Sequence, residues 1–377
     1  MKILHLITSL KIGGAESALY NFLEHVARGS DEHIVVYFHD GINAKKIARL
    51  GIKVIHIKGL LSPYDPVGMW RLYRCIKKQN PTLIHSALWS ANIIGRFLAK
   101  LHHLPIICDL HGNSYDEGWL RNFIERKTAH LSSKIIAVSH NTCSVYYENI
   151  IKKISNKPRQ ENIAQKLIVI NNGINSTALF HQAAKNKITR NTIGINETDF
   201  VIGAVGRLEP IKSYDVLIHA FSSLINEEKI TNVKLCIVGG GSQENNLKQL
   251  AQKVHVSNKT LFLGQQENPY QFYPLFNCFV LSSHSEGMSI ALLEALAFGI
   301  PIITTNNHPT HDVIQPGIHG LIVPPQQPIA LAKSLKFLIE SPNLVQKMHL
   351  ENMALINTNF SLKKTVDTIN HLYTTHV

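Results

Sequence analysis

The sequence predicts an α/β protein made of two doubly wound, parallel-sheet domains facing a cleft. Short β-branched runs alternate with periodic helical stretches, the pattern of parallel strands joined by crossover helices. That complete pattern starts again near the midpoint of the chain. Finally, 377 residues are long for one domain and suit two, and a 45% hydrophobic, 17% charged composition supplies two cores.

In the first half, strands are expected at Ile3–Ile7, Ile34–Phe38, Val54–Ile57, Leu83–His85, Ile106–Asp109, Ile135–Val138 and Ile168–Ile170. Helical periodicity fills most gaps, for example Ala15–Ala27 and Trp89–Lys100. Residues 150–166 are polar and charged, a loop or a ragged helix, and Asn171–His181 reads as a linker. The first domain is therefore placed at 1–175 and the second at 176–360. The second half offers strands at Phe200–Val205, Lys234–Val238, Thr260–Leu263, Cys278–Leu281, Ile302–Thr304 and Leu321–Val323. Its helices fall at Ser213–Asn226, Glu244–Val254, Ile290–Phe298 and Ile329–Glu340, and Leu344–Thr375 is helical. Ligands of such sheets bind at the carboxyl ends of the strands.

No window of about 18 consecutive apolar residues exists, so no membrane-spanning helix is expected. The apolar run near Met1 is only six residues long and lacks an A-x-A site, so it reads as a first strand and not as a signal peptide. Five scattered cysteines, an odd number, point to a reduced, cytosolic compartment. There is no H-E-x-x-H and no D-x-D, so neither metal nor cofactor is expected. The formal charge of +12 is uneven: residues 1–175 hold 23 Lys+Arg against 12 Asp+Glu, and residues 176–377 hold 15 against 14. An anionic partner for the first half follows: membrane phospholipid, a lipid diphosphate or nucleic acid. A merely Lys-rich surface gives the same count.

The most informative stretch is Ser282–Gly299, SSHSEGMSIALLEALAFG. It follows the apolar run Asn277–Leu281. Ser289 is placed as a helix N-cap, Gly299 as the stop, and Pro301 forbids continuation. A helix N-terminus after a Gly-containing loop favours an anion. Glu286 and Glu294, with seven residues between them, would repel phosphate but can accept hydrogen bonds from hydroxyls on either side of it. A diphosphate flanked by polyols describes a nucleotide sugar. Gly206–Lys212, GRLEPIK, follows the first strand of the second half. Its Arg207 and Lys212 can grip two phosphates and neutralise a departing diphosphate. Ser9–Glu16, SLKIGGAE, puts Gly13 and Gly14 where backbone can approach a ligand at a helix N-terminus. Asp109–Gly112, DLHG, places His111 just past a strand end. Val238–Ser242, VGGGS, lacks a full G-x-G-x-x-G and reads as a structural turn. Trp70–Lys78, WRLYRCIKK, carries Arg71, Arg74, Lys77 and Lys78 at near-helical spacing. It fits an anionic membrane face or a solvated helix.

SEGMSIALLEALAFGIPIITTN resembles the E-x7-E signature of retaining glycosyltransferases of family 4, group 1, and GRLEPIK resembles that family's phosphate-binding loop, with Ser213 where Gly is commoner. The resemblance runs from Ile3 to about Pro325. It implies a GT-B fold, two Rossmann-like α/β/α domains, with the terminal helix 361–377 returning to the first. It implies a metal-independent enzyme that uses a nucleoside-diphosphate sugar, a UDP-sugar by preference. The acceptor implied is a lipid-linked or polysaccharide intermediate of lipopolysaccharide, capsule or exopolysaccharide. In that reading Arg207, Lys212 and the amides of Gly287, Met288, Ser289 and Ile290 hold the diphosphate. Glu294 takes the ribose and Glu286 the donor sugar. His111, Gly13 and Gly14 face the transferred sugar, and Gly264 of FLGQQ lies beside the base. Catalysis is assigned to His111, Arg207, Lys212 and Glu286, with front-face attack. Asn306–Val313, with His308, Pro309 and Asp312, departs from the family's Gly-Gly-Glu pattern and bears on sugar or acceptor choice. A cytoplasmic enzyme, peripheral on the inner plasma-membrane face, with no nucleic-acid partner, is the expectation. Two alternatives are a GT-B sugar-nucleotide epimerase and a non-catalytic assembly partner. A dehydrogenase lacks the full fingerprint.

Overall fold

The computed structural model describes residues 1–59, 65–112, 118–185, 188–306 and 308–375, without the side chains of His308 and Pro309. The chain divides into two compact units, Met1–Gly173 with Leu362–Val377, and Ile174–Ser361.

Unit 1 holds seven strands: β1 (Lys2–Ser9), β2 (Glu32–His39), β3 (Lys53–His56), β4 (Leu83–Ala87), β5 (Ile106–Leu110), β6 (Lys134–Ala137) and β7 (Leu167–Val169). Its helices are α1 (Gly14–Val26), α2 (Ile42–Arg49), α3 (Pro66–Gln79), α4 (Trp89–His102), α5 (Trp119–Thr128), α6 (His140–Tyr146) and α7 (Lys157–Lys166). All strand pairs are parallel, in the order β3-β2-β1-β4-β5-β6-β7. The strands read as continuous apolar runs because both faces are covered. Ile3, Ile7, Leu83 and Ile107 pack under α1 and α2, while Leu4, Leu6, Ile34 and Ile84 pack under α3 and α4. Each such fully buried side chain contributes about 1.5–3 kcal/mol.

Unit 2 holds α8 (Ser176–Lys185), β8 (Phe200–Val205), α9 (Tyr214–Asn226), β9 (Val233–Val238), α10 (Glu244–Lys253), β10 (Thr260–Phe262), β11 (Cys278–Leu281), α11 (Ile290–Ala297), β12 (Ile302–Thr305), β13 (Gly320–Val323), α12 (Pro328–Ile339) and α13 (Pro342–Asn359). Its sheet is parallel in the order β10-β9-β8-β11-β12-β13. After Ser361 the last helix, α14 (Leu362–Thr375), packs in unit 1, where Leu362, Val366, Ile369 and Tyr373 join the α1 side of the core.

All thirteen expected strands are present within a residue or two at each end. One expectation needs correction. Asn171–His181 is not all linker, because α8 starts at Ser176. Asn175 causes this: its side chain accepts from Ala178 N at 3.1 Å, a cap that the polar composition concealed. Residues 150–166 contain an ordered helix, α7, capped by Asn156 through Arg159 N. Among the described residues no helix is long and apolar enough to cross a membrane.

Each sheet has one point where strand order reverses, between β1 and β4 and between β8 and β11. Crevices outside the carboxyl ends of strands form at such points. In unit 2 the two loops there are Gly206–Ser213 and Ser282–Ser289, the pair singled out from sequence.

Candidate active site

The first loop of unit 2 is held by backbone. Gly206 N donates to Val238 O at 3.0 Å, Leu208 N to Gly240 O at 2.9 Å and Gly239 N to Gly264 O at 2.8 Å. The ends of β8, β9 and β10 are thereby laced together. A Cβ on Gly239 would lie 1.9 Å from Gly206 O, which is why VGGGS needs glycine there. Glu209 receives Ser242 through its amide (3.2 Å) and hydroxyl (2.7 Å), leaving Arg207 exposed at the strand end. The loop then makes a single 3-10 turn, Pro210–Lys212, and enters α9 through Ser213 at φ 49, ψ 45. This left-handed conformation explains why glycine suits the position. Ser213 Oγ compensates by accepting from Gln326 Nε2 at 3.1 Å.

The second loop is stitched to the first. Ser282 Oγ donates to Lys212 O at 2.9 Å, and His284 N donates to Ile211 O at 2.8 Å. Lys212 Nζ forms an ion pair with Glu286 Oε1, which also accepts from Ser283 Oγ at 2.8 Å. The loop ends at Ser289, whose side chain caps α11 by accepting from Leu292 N. Gly287, Met288, Ser289 and Ile290 are buried at this helix start. The ammonium, the carboxylate and a helix N-terminus thus share one spot. Lys212 beside the positive end of a helix favours an anion, and Glu286 supplies the counter-charge here.

Glu294 lies one turn on, 6% exposed, and accepts from Tyr273 OH at 2.6 Å. Tyr273 stacks on Phe298 with centroids 5.4 Å apart and planes 4° apart. Burial pushes the Glu294 carboxyl up to about 7, against the lowering pull of the Tyr273 hydrogen bond. Gly264, with φ +66, closes the β10 turn. In the region 306–313, Asn307 and the His308 and Pro309 side chains lie outside the described residues. Thr310 there is buried, and its Oγ1 donates to Thr305 O at 3.2 Å.

In unit 1, Gly13 and Gly14 start α1 after β1. A residue passed over in sequence governs this turn. Glu16 is buried, accepts from Ser9 Oγ at 2.6 Å, and lies so close that a Cβ on Gly13 would meet its Oε2 at 2.3 Å. His111 ends β5. Its Nε2 is 3.7 Å from Asp109 Oδ2, and Asp109 Oδ1 is 2.8 Å from His85 Nε2. Asp109 and His85 were also passed over. Their signal is a polar residue inside an otherwise apolar strand, IICDL and LIHSA.

On α3, Arg71 donates to Lys58 O at 2.6 Å, Arg74 lies over the Trp70 ring at 4.9 Å, and Lys77 and Lys78 are exposed in the last turn. The same sheet face continues into α4 and α5. Trp119 is 77% exposed, and Leu101, Leu120 and Phe123 are exposed with it. Across α3, α4 and α5 the one acid is Glu125, buried against fully buried Arg96 at 2.8 Å.

The comparisons agree with this architecture. The family model described as Glycosyltransferase Family 4 matches residues 12–177, and that described as Glycosyl transferases group 1 matches residues 185–352. The Staphylococcus aureus capsular polysaccharide biosynthesis glycosyltransferase CapM is 26% identical over 384 residues, 99% of this chain and 97% of that one. The Escherichia coli UDP-Gal:alpha-D-GlcNAc-diphosphoundecaprenol alpha-1,3-galactosyltransferase is 25% identical over 343 residues, 89% of this chain and 85% of that one. Among solved structures, Anabaena HepE in complex with UDP-glucose superposes with a TM-score of 0.84 at 20% identity, covering 100% of both chains. With both halves matched in order by the two models, and with two doubly wound parallel sheets in place, the chain belongs to the group 1, family 4 glycosyltransferases of GT-B fold.

Proposed function

We propose that this glycosyltransferase moves a sugar from a UDP-sugar, with retention of anomeric configuration and without a metal, to a lipid-linked or polysaccharide acceptor of cell-surface glycan assembly. The observation that carries it is the meeting of Lys212, Glu286 and the α11 N-terminus, with Arg207 on the adjoining loop. In this reading the incoming diphosphate draws Lys212 from Glu286. Glu286 then accepts hydrogen bonds from donor-sugar hydroxyls. Arg207, Lys212 and the amides of Gly287–Ile290 stabilise the leaving diphosphate, Glu294 takes the ribose, and Gly264 lies beside the base. His111, with Gly13 and Gly14, faces the transferred sugar and the acceptor. The acceptor attacks from the side the diphosphate leaves, and the departing phosphate takes the acceptor proton. Two cations do the electrostatic work a metal would otherwise do.

CapM acts in capsular polysaccharide biosynthesis, and the E. coli relative uses a UDP-sugar and a diphosphoundecaprenol acceptor, as their names state. The acid-free, aromatic face of α3, α4 and α5 supports a membrane-borne acceptor at the cytoplasmic leaflet. Cations and indoles together suit an anionic interface. The test is nucleotide release by the purified protein across a panel of nucleotide sugars, with and without membrane lipid extract, and NMR of the product anomer. Release of UDP dependent on lipid extract, with the donor's anomeric configuration kept, is expected. Inverted product, or an isomerised nucleotide sugar formed without acceptor, would refute the reading.

A further inference from the structure

Tyr373, His85 and Asp109 form a chain of polar groups in unit 1 that leads to His111. Ile107 and Asp109 alternate along β5 and face the side covered by α1 and α14, and His111, just past the strand, lines the same cavity there. α14, formed by the last residues of the sequence, brings Tyr373 to the same side. Its hydroxyl is 2.5 Å from His85 Nδ1, and His85 Nε2 is 2.8 Å from Asp109 Oδ1. With both ring nitrogens engaged, His85 cannot turn. The ring is also flanked by His5 at 5.7 Å and Tyr373 at 5.6 Å between centroids. His85 thereby fixes one oxygen of Asp109, and the other stands 3.7 Å from His111 Nε2. That separation is longer than a hydrogen bond. Contacts in unloaded catalytic sites are often long and tighten when substrate binds.

We propose that Asp109 is the positioning residue of His111: it holds the imidazole with Nε2–H toward the carboxylate and Nδ1 toward the transferred sugar and acceptor, and is itself held by His85 and Tyr373. This rests on the reading that His111 faces the transferred sugar. Burial alone would push the Asp109 carboxyl up, but His85 and His111 outweigh it and hold it well below the usual carboxylate range. It therefore remains an acceptor. The titratable groups nearest His85 on this side include His5 from β1, His33 from β2 and Tyr373 from α14. Burial depresses both histidines, so they stay neutral. His85, Asp109 and His111 form the polar end of a cavity of about 60 Å³, whose other walls include Ala15, Phe22 and Ile369. Four polar groups at the edge of an apolar core cost stability that a hydrophobic set would not. Their convergence on His111 at a strand end gives that cost a use.

The test uses full-length protein with a donor that supports turnover. Asp109→Asn should lower kcat by at least about 10-fold, as removing a group that orients a metal-bound histidine costs about 10–100-fold, with donor KM held within about twofold since no donor contact is lost. Tyr373→Phe, which keeps the ring and removes the hydroxyl, should lower kcat by a smaller factor, and Asp109→Glu should recover part of the loss. In ¹⁵N spectra the His111 ring should carry its proton on Nε2 in the wild type and lose that preference in Asp109→Asn. If Asp109→Asn does not fold, Tyr373→Phe decides by the same two readouts. Impaired His111→Ala, together with wild-type kcat and an unchanged His111 tautomer in the Asp109 and Tyr373 variants, overturns the positioning role. Full turnover in His111→Ala instead overturns the placement of His111 at the sugar.

Discussion

Glu286 and Glu294 belong to one signature but meet different surroundings. Glu286 is paired with Lys212 at the edge of the site, and Glu294 is enclosed with Tyr273. For Glu294, burial raises the carboxyl to about 7, above its unfolded value. Its stabilising contribution is then complete below the unfolded value of about 4.3 and is lost as pH rises through 7. Glu294→Gln, which cannot ionise, should therefore be more stable than wild type at pH 8 by up to roughly 4 kcal/mol, at about 1.4 kcal/mol per unit, and equal to it near pH 4. Urea unfolding at both pH values checks this, and parallel loss of stability in both proteins would contradict it. The variant should bind donor more weakly, since its amide replaces one ribose acceptor. Ser213 carries a second single-residue expectation. Glycine in its left-handed position relieves strain of roughly 1 kcal/mol, but removes the bond to Gln326, so Ser213→Gly should be close to neutral in thermal unfolding.

The elements were largely legible because each strand is a compact apolar run between polar turns, and both sheets bury their two faces. Phe200–Val205 and Cys278–Leu281 fall where the sequence alone puts them. α8 was hidden because its cap, Asn175, sits in a polar run that also reads as linker. Partners distant in sequence were not legible. Lys212 and Glu286 are 74 residues apart and His85 and Tyr373 are 288 apart, and no local pattern joins them. The charge count flagged the first half, yet α3 was only one piece of the basic face: α5 adds Arg121, Arg126 and Lys127 together with its exposed aromatics. Replacing Arg71, Arg74, Lys77 and Lys78 with Gln should weaken binding to anionic vesicles by several kcal/mol at most, at roughly 1 kcal/mol per cation. High salt should do the same to wild type. Trp119→Ala with Phe123→Ala should weaken it even at high salt. Vesicle sedimentation decides, and a wild type that ignores anionic vesicles at low salt would make this an ordinary solvated face.

At the scale of the whole molecule, the two units should answer pH in opposite senses. In unit 1 burial depresses His5, His33, His102 and His130, whose neutral forms are favoured on folding. Their contribution is present above the unfolded value of about 6.5 and is lost as pH falls below it. In unit 2 Glu294 works the other way, opposed in part by the depressed, more exposed His319. Calorimetry between pH 8 and pH 5 should show one transition falling and another rising, the rise being absent in Glu294→Gln. Two transitions moving together would contradict this assignment. The central claim is that two cations on the loop after β8, Arg207 and Lys212, do what a metal would do for the leaving diphosphate. One measurement tests it most directly: steady-state kcat for nucleotide release, in excess EDTA, by wild type, Arg207→Ala and Lys212→Ala. Wild type should keep its turnover, and each variant should lose at least about a hundredfold, the 3–4 kcal/mol typical of one preorganised donor. Loss of wild-type activity restored by magnesium or manganese, or near-normal turnover in both folded variants, would contradict it.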